Sequence, residues 1–185
     1  MVHMPIEDSL PALRQSLASS PAVLLSAPPG AGKTTLVPLT LRNEPWLEDR
    51  RIIMLEPRRL AARTAARYMA RLLDEDVGET VGYRVRHDTR ISSRTRIEVI
   101  TEGILTRMLQ NDPALEGVGL LIFDEFHERS LHSDLGLALA RQSQAILRPD
   151  LKLLVMSATL AMEQLTSILD APIVVCHGRQ YPVRV

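Results

Sequence analysis

The chain has 185 residues, 45% of them hydrophobic and 24% charged, with 22 basic residues matched by 22 acidic ones. That size suits one domain with a sizeable core, and the zero net charge excludes binding to nucleic acid by overall charge alone. The single cysteine, Cys176, excludes a disulfide framework and fits a reducing compartment. The first residues carry Glu7 and Asp8 instead of a basic-then-apolar leader, and no apolar run approaches the ~18 residues of a membrane span. A cytoplasmic setting with no membrane partner is expected.

Residues 1–8 read as a mobile lead-in, and Leu10, Leu13 and Leu17 mark a short amphipathic helix over Ser9 to Ser19. Ser20-Pro21 breaks it. The spacing then predicts a buried strand (Ala22 to Ser26), a glycine-rich turn, and a helix from Lys33 to about Arg42 with a kink or a short first segment at Pro38. Residues 44–51 form a polar loop. A short apolar strand, Arg51 to Glu56, leads through Pro57-Arg58-Arg59 into an alanine-rich helix ending near Leu73; proline suits a helix start. Strands follow at Val81 to Val85 and Arg96 to Ile100, joined by an arginine-rich connection. A helix after Thr101-Glu102-Gly103 stops at Asp112-Pro113. Val118 to Phe123 is a continuous apolar run, as in a strand buried on both faces. A helix (about 132–147), a strand (Lys152 to Met156), a short helix (161–169) and a last strand (Ile173 to Cys176) complete the order.

Strands alternate with helices throughout. The fold class is therefore α/β, a mostly parallel sheet with helices on both faces. Ligands of such sheets lie at the carboxyl ends of the strands, where Pro57-Arg58-Arg59, Thr101-Glu102-Gly103, Asp124-Glu125 and Ser157-Ala158-Thr159 all fall.

The turn Ala27-Pro28-Pro29-Gly30-Ala31-Gly32-Lys33-Thr34-Thr35 has the strand before and the helix after that a phosphate-binding loop needs. Ala27 stands where the usual pattern starts with glycine. The loop from Pro29 through Thr35 makes an anion nest, its successive backbone N–H groups starting at Gly30 and running into a helix N-terminus. Lys33 is placed to reach the β- and γ-phosphates of ATP, and the Thr34 hydroxyl to hold Mg²⁺. Asp124 and Glu125 follow a buried strand 91 residues after Lys33. Asp124 would hold the same Mg²⁺ through water, and Glu125 would accept a proton from attacking water. His127 has no histidine or cysteine at metal-ligand spacing, so a structural or coupling role near the γ-phosphate is favoured over zinc.

Charge is uneven along the chain. Arginine supplies 20 of the 22 basic residues, and the segment from Arg58 to Arg96 carries ten arginines against five acids. Arginine suits bidentate phosphate contacts. Three functions are compatible with these residues: an ATPase that moves on nucleic acid, a P-loop ATPase that never touches it, and a non-catalytic nucleotide-dependent interaction module.

Gly30 to Thr35, Pro57 to Ala62, Thr101-Glu102-Gly103, Asp124 to Ser130 and Ser157-Ala158-Thr159 stand in the order and spacing of a DEAH-box helicase. The chain resembles that family, and within it the bacterial HrpB branch, which the Phe126 variant of the box and the run Glu56 to Arg63 single out. The resemblance implies an ATP-dependent RNA helicase built of two RecA-like lobes, of which residues 21–185 are the first and residues 1–20 a lead-in and short helix; the second lobe is missing. It implies Lys33, Asp124 and Glu125 as catalytic groups and Ser157, Thr159 and His127 as coupling groups. Arg58, Arg59, Arg86, Thr101 and Gly103 would face a single-stranded RNA backbone. Adenine would stack on Tyr68, with Arg67 beside it. A lobe alone would bind nucleotide weakly and hydrolyse little.

Overall fold

The computed structural model describes residues 3–128, 130–158 and 163–177. Among these residues eight strands form one sheet. In chain order they are β1 (Ala22–Ser26), β2 (Arg51–Glu56), β3 (Val81–Val85), β4 (Asp88–Arg90), β5 (Ile97–Thr101), β6 (Val118–Phe123), β7 (Lys152–Ser157) and β8 (Ile173–Val175). Their spatial order is β4-β3-β5-β2-β6-β7-β1-β8. Every pairing is parallel except the β3–β4 hairpin. The α/β architecture read from the sequence is the one observed.

Among the described residues six helices cover the sheet: α1 (Leu10–Ser19), α2 (Lys33–Leu41), α3 (Arg59–Leu72), α4 (Glu102–Asn111), α5 (Leu131–Ile146) and α6 (Glu163–Leu169). Strand residues alternate between two cores because successive side chains point to opposite faces. Val23, Leu25, Ile52, Met54, Ile122 and Met156 pack under α1, α2 and α3. Leu24, Ile53, Leu55, Phe123 and Val155 pack under α4, α5 and α6. β1, β2, β6 and β7 are therefore apolar on both faces, as a buried parallel sheet requires.

Three expectations are corrected. Residues 4–9 are not a free lead-in: Pro5–Ser9 form a 3₁₀ turn, Ile6 is fully buried, and its N–H donates to the Ala31 carbonyl at 3.1 Å. The apolar Met4 and Ile6 dock because they close one end of the first core. The connection after β3 is not a plain loop but carries β4, with Tyr83 opposite Arg90 and Val85 opposite Asp88. Gly82 lets this hairpin fold back: a Cβ there would stand 2.3 Å from the Arg90 carbonyl oxygen. The polar stretch after α2 contains a 3₁₀ turn, Pro45–Leu47, whose Leu47 is buried. Pro38 stays inside α2 at its sixth residue, where only the bond back to Thr34 is forgone.

The sheet order sets the site. β2, β6, β7 and β1 are consecutive neighbours, and Leu55, Phe123 and Val155 lie abreast, as do Ser157 and Ser26. Glu56, Asp124, Ser157 and the phosphate loop consequently emerge along one edge. β3 and β5 lie on the other side of β2, which brings Arg86, Thr101 and Arg58 out along the same edge.

Candidate nucleotide and strand sites

The loop after β1 turns through Gly30 (φ +76°) and Gly32 (φ +91°), conformations that side-chain-bearing residues rarely adopt. Gly32 caps α2, and its carbonyl accepts from Thr35 and Leu36 at 3.3 and 3.0 Å. Ala27, in place of a glycine, is buried and donates to the Ser157 carbonyl at 3.0 Å, which ties the loop's start to β7.

Two consecutive residues of this loop meet two consecutive acids. Lys33, 4% exposed, places Nζ 2.7 Å from Glu125 Oε1. The Thr34 hydroxyl donates to Asp124 Oδ2 at 2.5 Å. Asp124 is itself buried, and its other oxygen accepts from the Glu125 N–H at 2.8 Å. Glu125 holds φ at +49°, a costly posture for a residue with a side chain. It turns the chain so that Asp124 and Glu125 both face the loop. Glu125 Oε2 is also 3.2 Å from His127 Nε2. His127 Nδ1 accepts from the Ala158 N–H at 3.3 Å, so the ring carries its hydrogen on Nε2 and donates to Glu125. His127 thus joins Glu125 to the end of β7. Ser157 is buried beside it; Thr159 lies outside the described residues. Glu125, His127 and Glu128 have ligand atoms within 4.8 Å of one another, but two of the three already hold Lys33 and Arg58.

The sequence reading missed Glu56. It ends β2, is 3% exposed, and its carboxyl shares a hydrogen bond with Asp124. Burial, then the Asp124 charge, push Glu56 up to about 9. Burial also raises Asp124, against the pull of the Thr34 hydrogen bond and Lys33. Two buried acids so close share a proton. The signal was an acid ending an apolar strand, the same pattern that marked Asp124.

This arrangement has a pH consequence. Between the ordinary 4.5 and about 9 the folded chain keeps a proton on Glu56 that the unfolded chain releases. Stability without ligand therefore falls as pH rises through that window. Glu56→Gln has no proton to retain. It is expected to melt at least about 2–4 °C higher than the parent at pH 8, roughly 1 kcal/mol for a chain this size, and level with it at pH 4.5. Parallel melting curves at the two pH values, without nucleotide or Mg²⁺, check this.

The residues expected to face a nucleic-acid strand fall into three places. Arg58 is 66% exposed and pairs with Glu128 at 3.1 Å. Arg59 and Arg86 converge with Leu60, Arg63, Val85 and Asp88 around a cavity of about 250 Å³. Arg63 and the Tyr83 hydroxyl hold Asp88 there, at 3.3 and 2.9 Å. Thr101 ends β5, and Gly103 lies in the first turn of α4 with nothing within 4 Å of an added Cβ. Glu102 accepts from Ser130 at 2.6 Å, and Ser130 caps α5 by accepting from the Ser133 N–H. The edge is thus divided: phosphate-loop partners over β1, β6 and β7, arginines and open backbone over β2, β3 and β5. The Arg58–Glu128 and Glu102–Ser130 contacts join the halves. Arg67 and Tyr68 are not part of either cluster. They lie eight and nine residues along α3; Arg67 lines a polar cleft with Arg71, Asp74 and Glu79, and Tyr68 is half exposed.

The chain is similar to known proteins in sequence and in fold. The DEAD/DEAH box helicase family model matches residues 9–168. The ATP-dependent RNA helicase HrpB of Escherichia coli is 54% identical over 99% of the chain, which spans 23% of that protein's length. The pre-mRNA-splicing factor ATP-dependent RNA helicase prp22 of Schizosaccharomyces pombe is 36% identical over 92% of the chain and 15% of its own length. A crystal structure of the Escherichia coli DEAH/RHA helicase HrpB superposes with a TM-score of 0.93 at 55% identity, over 97% of this chain and 23% of that one. The eight-stranded sheet is accordingly RecA-like.

Proposed function

Because this chain belongs to the DEAD/DEAH box helicase family, we propose that it is the ATP-binding lobe of an ATP-dependent RNA helicase. The observation that carries the reading is the double contact between loop and acids: Lys33 on Glu125 at 2.7 Å and Thr34 on Asp124 at 2.5 Å. Residues 21–185 form the lobe, with residues 4–20 packed on it. The relatives' greater length supports a second lobe elsewhere in the protein, facing this edge.

The Thr34 hydroxyl and the buried Asp124 carboxylate are oxygen donors held together in a partly buried place, which fits the hard ion Mg²⁺. These two residues would hold it. When bound, Mg²⁺ offsets negative charge on the nucleotide's phosphate oxygens. The chain's own groups do the rest. Lys33 exchanges Glu125 for phosphate oxygens, and Glu125, released at Oε1, takes the proton of an attacking water. His127 keeps hold of Oε2 and passes any shift of Glu125 to Ala158 and β7. The arginine that would balance charge on the γ-phosphate is supplied by the second lobe; such a group contributes roughly 10³–10⁵ in rate.

The strand side is read by its charge and its open backbone. Arg58, Arg59 and Arg86 suit phosphate oxygens, and Gly103 leaves room for a sugar–phosphate chain against α4. Contacts of this type position a strand without reading its bases.

The test is ATP turnover by the full-length protein with and without single-stranded RNA. RNA-stimulated turnover is expected, and Gly103→Ala should raise the RNA concentration for half-maximal stimulation several-fold, roughly 1 kcal/mol. The melting temperature should hold, since the added methyl meets no atom within 4 Å. Turnover indifferent to RNA would point to an ATPase that does not act on nucleic acid.

A further inference from the structure

The phosphate loop is braced from outside its own sequence. The N–H of Ile6 donates to the carbonyl of Ala31 at 3.1 Å, and Ile6 is fully buried. The turn that presents this N–H is closed on itself. Glu7 N–H donates to the Met4 carbonyl at 3.0 Å, and Glu7 Oε1 accepts from the Met4 N–H at 2.8 Å. Ile6 Cγ2 and Met4 Cβ lie 3.3 and 3.4 Å from where a Cβ on Gly32 would stand. The turn therefore packs directly against the peptide joining Ala31 to Gly32.

That peptide is trans, as are all described ones. In a trans peptide the C=O and N–H point in opposite directions. A carbonyl held towards Ile6 turns the Gly32 N–H the other way, away from the turn. Glycine at φ +91° has little intrinsic preference for this orientation. Rotating the peptide would aim a carbonyl oxygen, with its negative partial charge, at the bound phosphate.

We propose that the Ile6 N–H is a positioning group for the nucleotide: by holding the Ala31 carbonyl, it keeps the Gly32 N–H directed at phosphate. The proposal rests on the nucleotide reading of the loop. It makes the turn at residues 4–9 part of the phosphate site, although no residue in it touches the ligand.

The test compares three variants in the full-length protein by binding of Mg²⁺–ADP, followed by displacement of a fluorescent ADP. Ile6→Pro removes the N–H, Ile6→Ala keeps it and removes packing, and Ile6→Val keeps both nearly intact. Affinity is expected to fall about tenfold or more for Ile6→Pro, to stay within about threefold for Ile6→Ala, and to be unchanged for Ile6→Val. Melting temperatures should drop for both Ile6→Pro and Ile6→Ala, which separates loss of stability from loss of phosphate. Equal affinities for these two variants would overturn the proposal. Proline at position 6 also restrains Pro5, so the unaltered protein is tested too: saturating Mg²⁺–ADP should slow hydrogen exchange at the Ile6 amide, and an unchanged rate would overturn it equally. Lys33→Ala serves as the control. A parent protein that binds no Mg²⁺–ADP would remove the nucleotide reading itself; weakened affinity in Lys33→Ala, with Ile6→Pro matching Ile6→Ala, would remove only the role given to Ile6.

Discussion

Glu125→Gln in the full-length protein is expected to lower ATP turnover by about 10²–10⁴-fold while nucleotide affinity stays within a few-fold, the signature of a lost general base. Glutamine has nearly the shape of glutamate, and its Oε1 can still accept from Lys33, so the contact now at 2.7 Å survives. The N–H bond to Asp124 at 2.8 Å belongs to the backbone and is untouched. What disappears is an oxygen able to take a proton. The side chain sits where that matters: φ of +49° presents it beside Lys33, and His127 holds its second oxygen at 3.2 Å. Strain of this type persists when surrounding contacts enforce it, and here loop, acid and histidine all do. Rapid-quench measurement of a single turnover would separate the chemical step from product release. Turnover within threefold of the parent would assign the base elsewhere.

Much of this was legible because the residues involved obey local rules. A strand buried on both faces must read as an apolar run, so β1, β2, β6 and β7 announced themselves and the motifs at their ends could be placed. The phosphate loop was legible because glycine spacing, lysine and hydroxyl are demanded together by one ligand. What escaped depends on distance in the chain. Ile6 meets Ala31 across the intervening α1 and β1, and its role resides in a backbone N–H that no side-chain pattern signals. Glu56 read as part of an arginine-rich run; its link to Asp124 appears only when β2 lies beside β6. β4 escaped because an exposed two-strand edge needs no apolar alternation. Glu98 is similar: a fully buried acid between Ile97 and Val99 makes sense only once β5 lies between β2 and β3, where Arg51 and Arg84 approach it at 3.4 and 2.8 Å. Thr101, Gly103 and Arg58 were each legible as motif residues, but the ties from Arg58 and Glu102 to residues 128 and 130 were not.

The loss from Lys33 should be larger in binding than that from any other residue of the loop. Lys33→Ala removes the only lysine near the phosphate cradle, and a charge-assisted contact of this type is worth about 1.5–3 kcal/mol, roughly ten- to a few-hundredfold in affinity. Turnover should fall further still, because the same ammonium faces charge that grows on the phosphate oxygens during transfer. A second consequence follows from the ligand-free contact. Lys33 is buried and supplies a near positive charge for Glu125; among the described residues its loss leaves that carboxylate with His127. Removing one partner of a buried pair destabilises more than the pair itself stabilised, although Glu125 is 22% exposed and water softens the cost. Lys33→Met separates the two effects, since it keeps the apolar stem packed against α2's surroundings and removes only the charge. Equal losses of Mg²⁺–ADP affinity in Lys33→Ala and Lys33→Met, with the smaller fall in melting temperature for Lys33→Met, are expected in calorimetric titration and thermal denaturation. Affinity within twofold of the parent in Lys33→Met would mean that backbone N–H groups alone hold the phosphates, and that Lys33 serves Glu125 and not the nucleotide.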